Sequence, residues 1–294
     1  MDRLLSKKMR SQQWLQQSAS SCLSCIHCQQ PLVVNERGVA CANGHQFDLN
    51  KQGTLFMATK SVDEHYDHML FQARRRFILT SGYYDALTAA MVEELQSVIP
   101  AFSGKAFVVV DAGAGEGSHL ERIAVQLPKT VVGVSLDLAK EGIRLASDYA
   151  GKQLAIVADL ANMPLQSEQV GAVLSILSPS NYDEFKRLLH PNGVVLKVIP
   201  NENYLREIRQ ALVTLGYAQT DTYDNDATQR VFAKHYPNYR VRVIQAKVTL
   251  NEDAKADLVA MTPLTWHLDA KQRAQLIELL PDVFQLDVSL LISR

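Results

Sequence analysis

The sequence predicts an α/β protein in which a doubly wound parallel sheet follows a small N-terminal module. Short apolar runs alternate with amphipathic segments from residue 106 onward, a pattern typical of a sheet covered by helices on both faces. A glycine-rich loop follows the first of these runs, and all four cysteines lie near the N-terminus. The two features predict two regions of different chemistry.

Composition excludes several classes of protein. The chain has 294 residues, 47% of them hydrophobic, which is enough for a large core. A net charge of −1 excludes a global basic field, so a polyanionic partner would need local patches. The N-terminus lacks the apolar stretch of a signal peptide, and no run of about 18 apolar residues exists to span a membrane. These features predict a cytoplasmic protein with no membrane partner, whose cysteines stay reduced and favour metal binding over disulfides.

The first 60 residues divide into two segments. Residues 1–20 are rich in Gln and Ser and show no core face, which predicts a flexible tail. Residues 21–60 contain only two short apolar pieces, "PLVV" and "QFDLNKQGTLFM". A segment with so little apolar material needs a cross-link such as a bound metal ion to fold. Residues 21–60 are therefore predicted to form a metal-binding module.

The spacing C-x2-C-x12-C-x3-H indicates the metal site. Four tetrahedral nitrogen and sulfur ligands are typical of a structural zinc ion, because they leave no open coordination position. The predicted ligands are Cys25, Cys28, Cys41 and His45. Cys22 forms a second C-x2-C with Cys25, and His27 lies inside the turn, so either could substitute as a ligand.

Helical periodicity follows, and then the alternating domain. Residues 61–100 show apolar residues at three-and-four spacing, which predicts a helical linker. Residues 101–294 hold five buried-strand patterns, "AFVVVDAG", "TVVGVSLD", "LAIVAD", "VGAVLSIL" and "GVVLKVIP". Two late runs, "YRVRVIQAKVTL" and "VFQLDVSLLIS", flank helical segments. Seven strands fit a Rossmann-like sheet that ends in a hairpin-type addition.

The glycine loop distinguishes two classes of nucleotide-binding domain. Asp111 ends the first strand and is followed by Gly113, Gly115 and Gly117. A dinucleotide fingerprint would place its third glycine at position 118, which is Ser118, and has no acid in front of its first glycine. The D-x-G-x-G-x-G form instead resembles motif I of class I methyltransferases, which use S-adenosylmethionine (SAM).

Two further acids stand at the ends of the next strands. Asp137 ends the second strand, where a carboxylate can accept both ribose hydroxyls, and Asp159 ends the third, where its neighbourhood would meet the adenine. Because the carboxyl ends of parallel strands meet at one edge of the sheet, these acids and the glycine loop are predicted to form a SAM site.

The catalytic candidates lie after the fourth strand, in "SILSPSNYDEF". Asn181 and Tyr182 resemble the loop in which amino-methylating enzymes orient and stack their target base, although an ordinary turn explains the same residues. Asp183 and Glu184 are candidate proton acceptors, and either could instead cap the following helix.

The zinc cluster joined to the glycine loop resembles the bacterial 23S ribosomal RNA (guanine-N1)-methyltransferases, a family that includes a macrolide-resistance enzyme. The resemblance rests on "C-x-x-C-x-x-P-L", "QARRRFILTSGYY", "DAGAGEGSH", "LSPSNYDEF" and "MTPLTWH" in this order. It implies a zinc module that recognises RNA, a Rossmann-like class I methyltransferase domain, and a homodimer whose cleft takes a ribosomal RNA hairpin. "ILSPSNYDEF" is closer to the Gram-positive branch and favours the macrolide-associated guanine.

The resemblance also implies that Tyr84, His119 and Tyr204 border the cofactor. Two basic stretches are candidate RNA contacts, namely Arg74 to Arg76 and the segment from Asp224 to Lys247, although ordinary solvated faces are equally compatible. Two other functions stay open. One is a small-molecule methyltransferase with a structural zinc appendage, and the other is a non-catalytic RNA-binding adaptor.

Overall fold

A computed structural model describes residues 5–19, 22–59, 67–102, 106–218 and 225–293. The N-terminal segment differs from the flexible tail expected over residues 1–20. Helix α1, Lys7–Trp14, continues into a π-helical turn, Leu15–Ala19. Trp14 and Leu15 are buried in the same apolar cluster as one face of the main sheet. These two large apolar side chains anchor the segment although its sequence has no periodic apolar face. Residues 1–4 and 20 lie outside the described ranges.

Residues 22–59 form the N-terminal ribbon. Strands β1 (Leu32–Val34), β2 (Gly38–Cys41) and β3 (Gln46–Asp48) make a three-stranded antiparallel sheet. Strand β4 (Leu55–Met57) leaves this sheet and pairs in parallel with a strand of the main sheet. The ribbon is therefore joined to the larger domain by backbone hydrogen bonds.

The main sheet has eight strands in the order β10-β11-β9-β8-β5-β6-β7-β4. Its other seven strands are β5 (Phe107–Ala112), β6 (Val131–Asp137), β7 (Gln153–Ala158), β8 (Val170–Ile176), β9 (Leu189–Pro200), β10 (Arg240–Thr249) and β11 (Val283–Ile292). These are the seven strands predicted from the sequence, and β10 and β11 are antiparallel as expected of a terminal addition. The eighth strand, β4, was not predicted to join them.

Helices cover both faces of this sheet, which explains why β5, β7 and β8 are buried along their whole length. The helices are α2 (His68–Thr80), α3 (Asp85–Val98), α4 (Ser118–Ala124), α5 (Lys140–Ala146), α6 (Tyr182–Leu188), α7 (Arg206–Thr214), α8 (Asp226–His235), α9 (Glu252–Met261) and α10 (Ala270–Leu279). The predicted Rossmann-like fold is confirmed. No helix in the described ranges is both long and apolar enough to cross a membrane.

The direction of winding reverses beside β5. The chain passes from β5 to β6 and β7 on one side and then to β8 and β9 on the other. In doubly wound sheets, ligands bind beyond the carboxyl ends of the strands at this reversal point. The glycine loop after β5 and the loop after β8 meet there.

Candidate metal centre and cofactor cavity

The four predicted zinc ligands come together in the ribbon. The ligand atoms of Cys25, Cys28, Cys41 and His45 all lie within 4.8 Å of one another. The Sγ atoms of Cys28 and Cys41 are 3.7 Å apart, and Nδ1 of His45 is 3.4 Å from Sγ of Cys25 and 3.2 Å from Sγ of Cys41. A tetrahedral site with Zn–S distances of about 2.3 Å requires sulfur atoms about 3.8 Å apart. The donor set and spacing fit a structural Zn²⁺.

The two alternative ligands have other surroundings. The His27 ring stacks on Phe47 with ring centroids 5.9 Å apart. Cys22 is buried outside the cluster, and burial raises the pKa of its thiol to about 12. Next to Cys22 and Cys25, the ribbon is held against the larger domain by a 3.0 Å hydrogen bond from the Ser24 amide to the Pro164 carbonyl.

A cavity of about 680 Å³ opens at the carboxyl ends of the parallel strands. Its wall includes the loops after β5, β6, β7 and β8, the N-terminal part of α2, and the segment between α9 and α10. Most of the accessible wall is apolar, with a few polar groups converging on it, as is usual for small-molecule sites. This is the site that the sequence predicted for SAM.

The glycine loop is shaped so that a ligand can approach its backbone. Gly113 and Gly115 have φ angles of +81° and +59°, a region that favours glycine. A Cβ atom at Gly113 would lie 2.7 Å from Cβ of Ser178, and one at Gly115 would lie 2.8 Å from a guanidinium nitrogen of Arg74. Gly117, at +76°, begins helix α4. A larger residue at Gly113 or Gly115 would narrow the cavity.

Asp137 supports this loop and also lines the cavity. One carboxylate oxygen accepts the Gly115 amide at 2.8 Å, and the other accepts the Ala139 amide at 2.8 Å. Asp159 lines the cavity at the end of β7 and accepts the Ala161 amide at 2.8 Å. The structure therefore places both acids where the strand-end argument predicted.

Asp111 occupies a different position, because it is buried below the loop and does not belong to the cavity wall as described. Burial raises the pKa of its carboxyl group to about 7, while the Arg74 guanidinium opposes this shift. The carboxylates of Glu116 and Asp137 raise the pKa further. This acid therefore changes charge near neutral pH.

Arg74 belongs to one of the two stretches named as candidate RNA contacts or solvated faces, and in the structure its side chain lines the cavity. Its guanidinium forms an ion pair with the buried Glu116 and donates to the Ala114 carbonyl at 3.3 Å. Arg75 pairs with Asp148 and Arg76 with Asp257. The three arginines thus have partners within the chain, and nothing in the local sequence indicates the cavity role of Arg74.

Two of the five lysines and arginines in the second basic stretch form ion pairs within the chain. Arg240 pairs with Glu94 at 2.8 Å and Arg242 with Glu93 at 2.7 Å. Its first residue, Asp224, lies outside the described ranges.

An aromatic cluster closes the side of the cavity next to α3. The hydroxyl groups of Tyr84 and Tyr204 are hydrogen-bonded at 2.7 Å, and the Tyr84 ring meets the His119 ring edge-on at 4.9 Å. All three residues line the cavity. Burial and the Arg74 and Arg122 guanidinium groups hold the pKa of His119 well below its ordinary value, so the imidazole is neutral.

The three catalytic candidates lie away from the described wall of this cavity. The Asn181 side chain accepts the Glu184 amide at 3.2 Å and so caps helix α6. Tyr182 is buried against Phe232 and its aromatic neighbours, and the Asp183 side chain is 90% exposed. Their catalytic roles stay predictions, and the geometry favours the capping explanation for Asn181.

The residues just before them do line the cavity. Leu177, directly after β8, has a φ angle of +53°, which a non-glycine residue adopts only at an energetic cost. Ser178 donates to the Ala112 carbonyl at 2.8 Å and thereby ties this loop to the end of β5. Lys197 on β9 also lines the cavity, and the sequence reasoning missed it because a single lysine in an otherwise apolar run gives no local sign of its surroundings.

Comparison with known proteins gives two domain matches. Residues 23–57 match the zinc-ribbon family described as "RlmA, N-terminal", and residues 110–197 match the family described as "Methyltransferase domain". The ribbon match contains the four metal ligands, and the second contains the glycine loop and both cavity acids. The two matches support structural zinc and a SAM-dependent methyltransferase domain in one chain.

Relatives share this arrangement over most of their length. YxjB of Bacillus subtilis (strain 168), provisionally named a 23S rRNA (guanine-N(1)-)-methyltransferase, is 37% identical over 89% of this chain and 90% of that protein. The 23S rRNA (guanine(748)-N(1))-methyltransferase of Streptomyces fradiae is 30% identical over 91% of this chain and 94% of that protein. The chain belongs to the family of 23S rRNA (guanine-N1)-methyltransferases.

Proposed function

We propose that this protein transfers the methyl group of SAM to N1 of a guanine in a hairpin of 23S ribosomal RNA. One observation carries the proposal. The strand-end cavity, with its glycine loop and acids, lies in a chain whose N-terminal ribbon holds a zinc site, and relatives named for this reaction match both parts together. SAM supplies an electrophilic methyl group on a sulfonium sulfur.

The cavity residues would divide the binding of SAM among them. The carboxylate of Asp137 is suited to the ribose hydroxyls, and Asp159 would lie next to the adenine. Arg74 is a cation in the wall that could meet a ligand carboxylate, and Tyr84 and Tyr204 would enclose the same end. Because methyl transfer is an in-line displacement, most of the catalysis would come from positioning.

We propose that the ribbon recognises the RNA and that residues 101–294 form the catalytic domain, with residues 61–100 between them. We also propose a homodimer whose cleft receives the hairpin. The family resemblance supports both parts, and the loop "ILSPSNYDEF" favours the macrolide-associated guanine. Light scattering of the zinc-loaded protein would test the dimer.

The proposed reaction predicts that labelled methyl groups pass from SAM into unmodified 23S ribosomal RNA. Nucleoside digestion and mass spectrometry should find the label in 1-methylguanosine. Label in another nucleoside would contradict the guanine-N1 assignment. SAM binding without any label in RNA would favour a small-molecule methyltransferase, and the absence of SAM binding would favour an adaptor.

Affinity for SAM is expected to rise as the pH increases through about 7. Asp111 has a raised pKa in the folded protein, so it is protonated and neutral below that pH and becomes a carboxylate above it. A carboxylate below the loop attracts the cationic sulfonium, whereas the neutral acid does not. Calorimetric titration between pH 5.5 and 8.5 would measure the effect.

Asp111→Asn is the matched control for this pH dependence. It keeps the size of the side chain and leaves the titration of SAM itself unchanged. The pH dependence of affinity should become shallower in this variant. The same slope in the variant and in the wild-type protein would exclude Asp111 as the group responsible.

A further inference from the structure

Lys197 lies at the end of the cavity that the cofactor groups leave open. The glycine loop, Asp137 and Asp159 follow β5, β6 and β7, whereas Lys197 is on β9, on the opposite side of the reversal point. A nucleoside bound along β5 to β7 would therefore have its reactive end directed toward β8 and β9. Lys197 stands at that end.

The Lys197 amine has two hydrogen-bond acceptors. It donates to Oγ of Ser175 at 3.2 Å and to the backbone carbonyl of Ser178. An uncharged amine has two N–H groups and one lone pair. With both N–H groups used by these acceptors, the lone pair is left for a proton donor in the cavity.

Among the described residues, no acid neutralises this lysine. The residue is 4% exposed, and no carboxylate within the described ranges lies within ion-pair distance of its Nζ. Burial without a counter-ion raises the free energy of the charged form of a lysine, and such lysines serve as bases in other enzymes. The position is therefore unfavourable unless the amine works uncharged.

Other ionisable groups of the cavity wall are less suited to take a proton. Arg74 is paired with Glu116, and Tyr84 and Tyr204 are bonded to each other. The carboxylate of Asp137 is held by two backbone amides, and both it and Asp159 stand on the cofactor side. His119 is neutral, but its low pKa makes it a weak base.

We propose that the uncharged amine of Lys197 is the general base that removes the N1 proton of the target guanine. The inference rests on the proposed function. The nitrogen electron pair freed from the N1–H bond forms the new bond to the methyl carbon, and the methyl–sulfur bond breaks with its electrons staying on sulfur. The proton ends on Lys197 and passes to water after the product leaves.

Ionisation of the lysine agrees with this role. Burial alone lowers the pKa of Lys197 to about 8. The elements in closest contact with β9 are β8, β11, α3 and α6. Their charged and titratable groups are Asp287 on β11, Asp85, Glu93 and Glu94 on α3, and Tyr182, Asp183, Glu184, Lys186 and Arg187 on α6, while Arg74 lies across the cavity. A sulfonium cation in the cavity would favour the neutral amine further.

The test is a single-turnover methylation of unmodified 23S ribosomal RNA by the full-length zinc-loaded protein between pH 6 and 9.5. In the wild-type protein, the rate of 1-methylguanosine formation should rise with pH and level off above about 8, as the neutral amine becomes the main form. Lys197→Met should lower the rate at pH 7.5 by about 100-fold or more, the usual contribution of a general base. Its profile should rise across the whole range, because hydroxide replaces the lost base.

Lys197→Arg separates a base from a cation that merely stabilises charge. Arginine keeps the positive charge and donors but stays protonated, so its rate should be as low as that of the methionine variant. Lys129→Met, an exposed lysine just before β6 at the opposite end of the sheet, should keep the wild-type profile. Unchanged SAM affinity in the Lys197 variants would show that the cavity is intact.

Two results would overturn the inference while the wild-type protein still makes 1-methylguanosine. One is an arginine variant that retains a rate close to that of the wild-type protein. The other is a wild-type rate with no levelling near pH 8, a measurement that holds even if neither variant folds. Failure of the wild-type protein to make 1-methylguanosine would instead reject the proposed function.

Discussion

Cys41→Ser is expected to release the zinc, open the N-terminal ribbon and abolish RNA methylation. A structural zinc site contributes of order 10 kcal/mol of apparent binding free energy, and the ribbon's three short strands cannot replace that amount by apolar burial. Serine is a poor zinc ligand, so three donors remain around the ion. Metal analysis, hydrogen exchange of residues 22–57 and the methylation assay would measure the three effects.

Cys22→Ala is the matched control for this variant. Cys22 is also a buried cysteine of the ribbon, but it lies outside the four-ligand cluster, so the zinc content should stay unchanged. A loss of zinc in Cys22→Ala equal to that in Cys41→Ser would contradict the assigned ligand set.

The effect of zinc loss on SAM binding should be small but measurable. The ribbon reaches the main sheet through β4, which pairs with β7, and Asp159 follows β7 directly. We therefore expect a loss of affinity of a few fold, far smaller than the loss of RNA methylation. Equal losses would mean that the metal supports the whole fold.

Asp137→Ala is expected to weaken SAM binding by about 10-fold to 100-fold for each charged hydrogen bond that it removes from the complex. A hydrogen bond to a charged group contributes about 1.5–3 kcal/mol, and each 1.4 kcal/mol corresponds to a tenfold change in affinity. The variant loses any ribose contacts together with the carboxylate that holds the amides of Gly115 and Ala139. Calorimetric titration would give the change in Kd.

Asp137→Asn provides the graded comparison. Asparagine keeps one acceptor oxygen, so its affinity should lie between those of the alanine variant and the wild-type protein. Thermal unfolding of both variants would show that the fold survives. Wild-type affinity in the alanine variant would remove Asp137 from the binding site.

Features that depend on local patterns could be predicted from the sequence alone. Continuous apolar runs predicted the first five strands of residues 101–294, because strands buried on both faces leave no polar side, and runs of β-forming residues predicted the last two. Cysteine and histidine spacing predicted the metal cluster, because a C-x2-C turn and a short hairpin bring the ligands together without help from distant residues. The positions of Asp137 and Asp159 in the cavity wall could be predicted because the carboxyl ends of parallel strands meet at one edge of the sheet.

The ion-pair partners of the charged residues could be identified only from the folded chain. The acids paired with Arg74, Arg75 and Arg76 lie 42, 73 and 181 residues away in sequence, so three adjacent arginines resembled an RNA-binding patch.

The same limit applies to strands and helices whose partners are distant. Strand β4 pairs with β7, which begins at Gln153, almost 100 residues later in the sequence. Trp14 is likewise buried by residues far along the chain. Lys197 lies in a run that predicts a buried strand, and its proposed role can be inferred only from the serines that bind its amine and from the cavity beside it. Local propensity and spacing act within about a dozen residues, whereas ion pairing, burial and pKa depend on which distant groups the fold brings into contact.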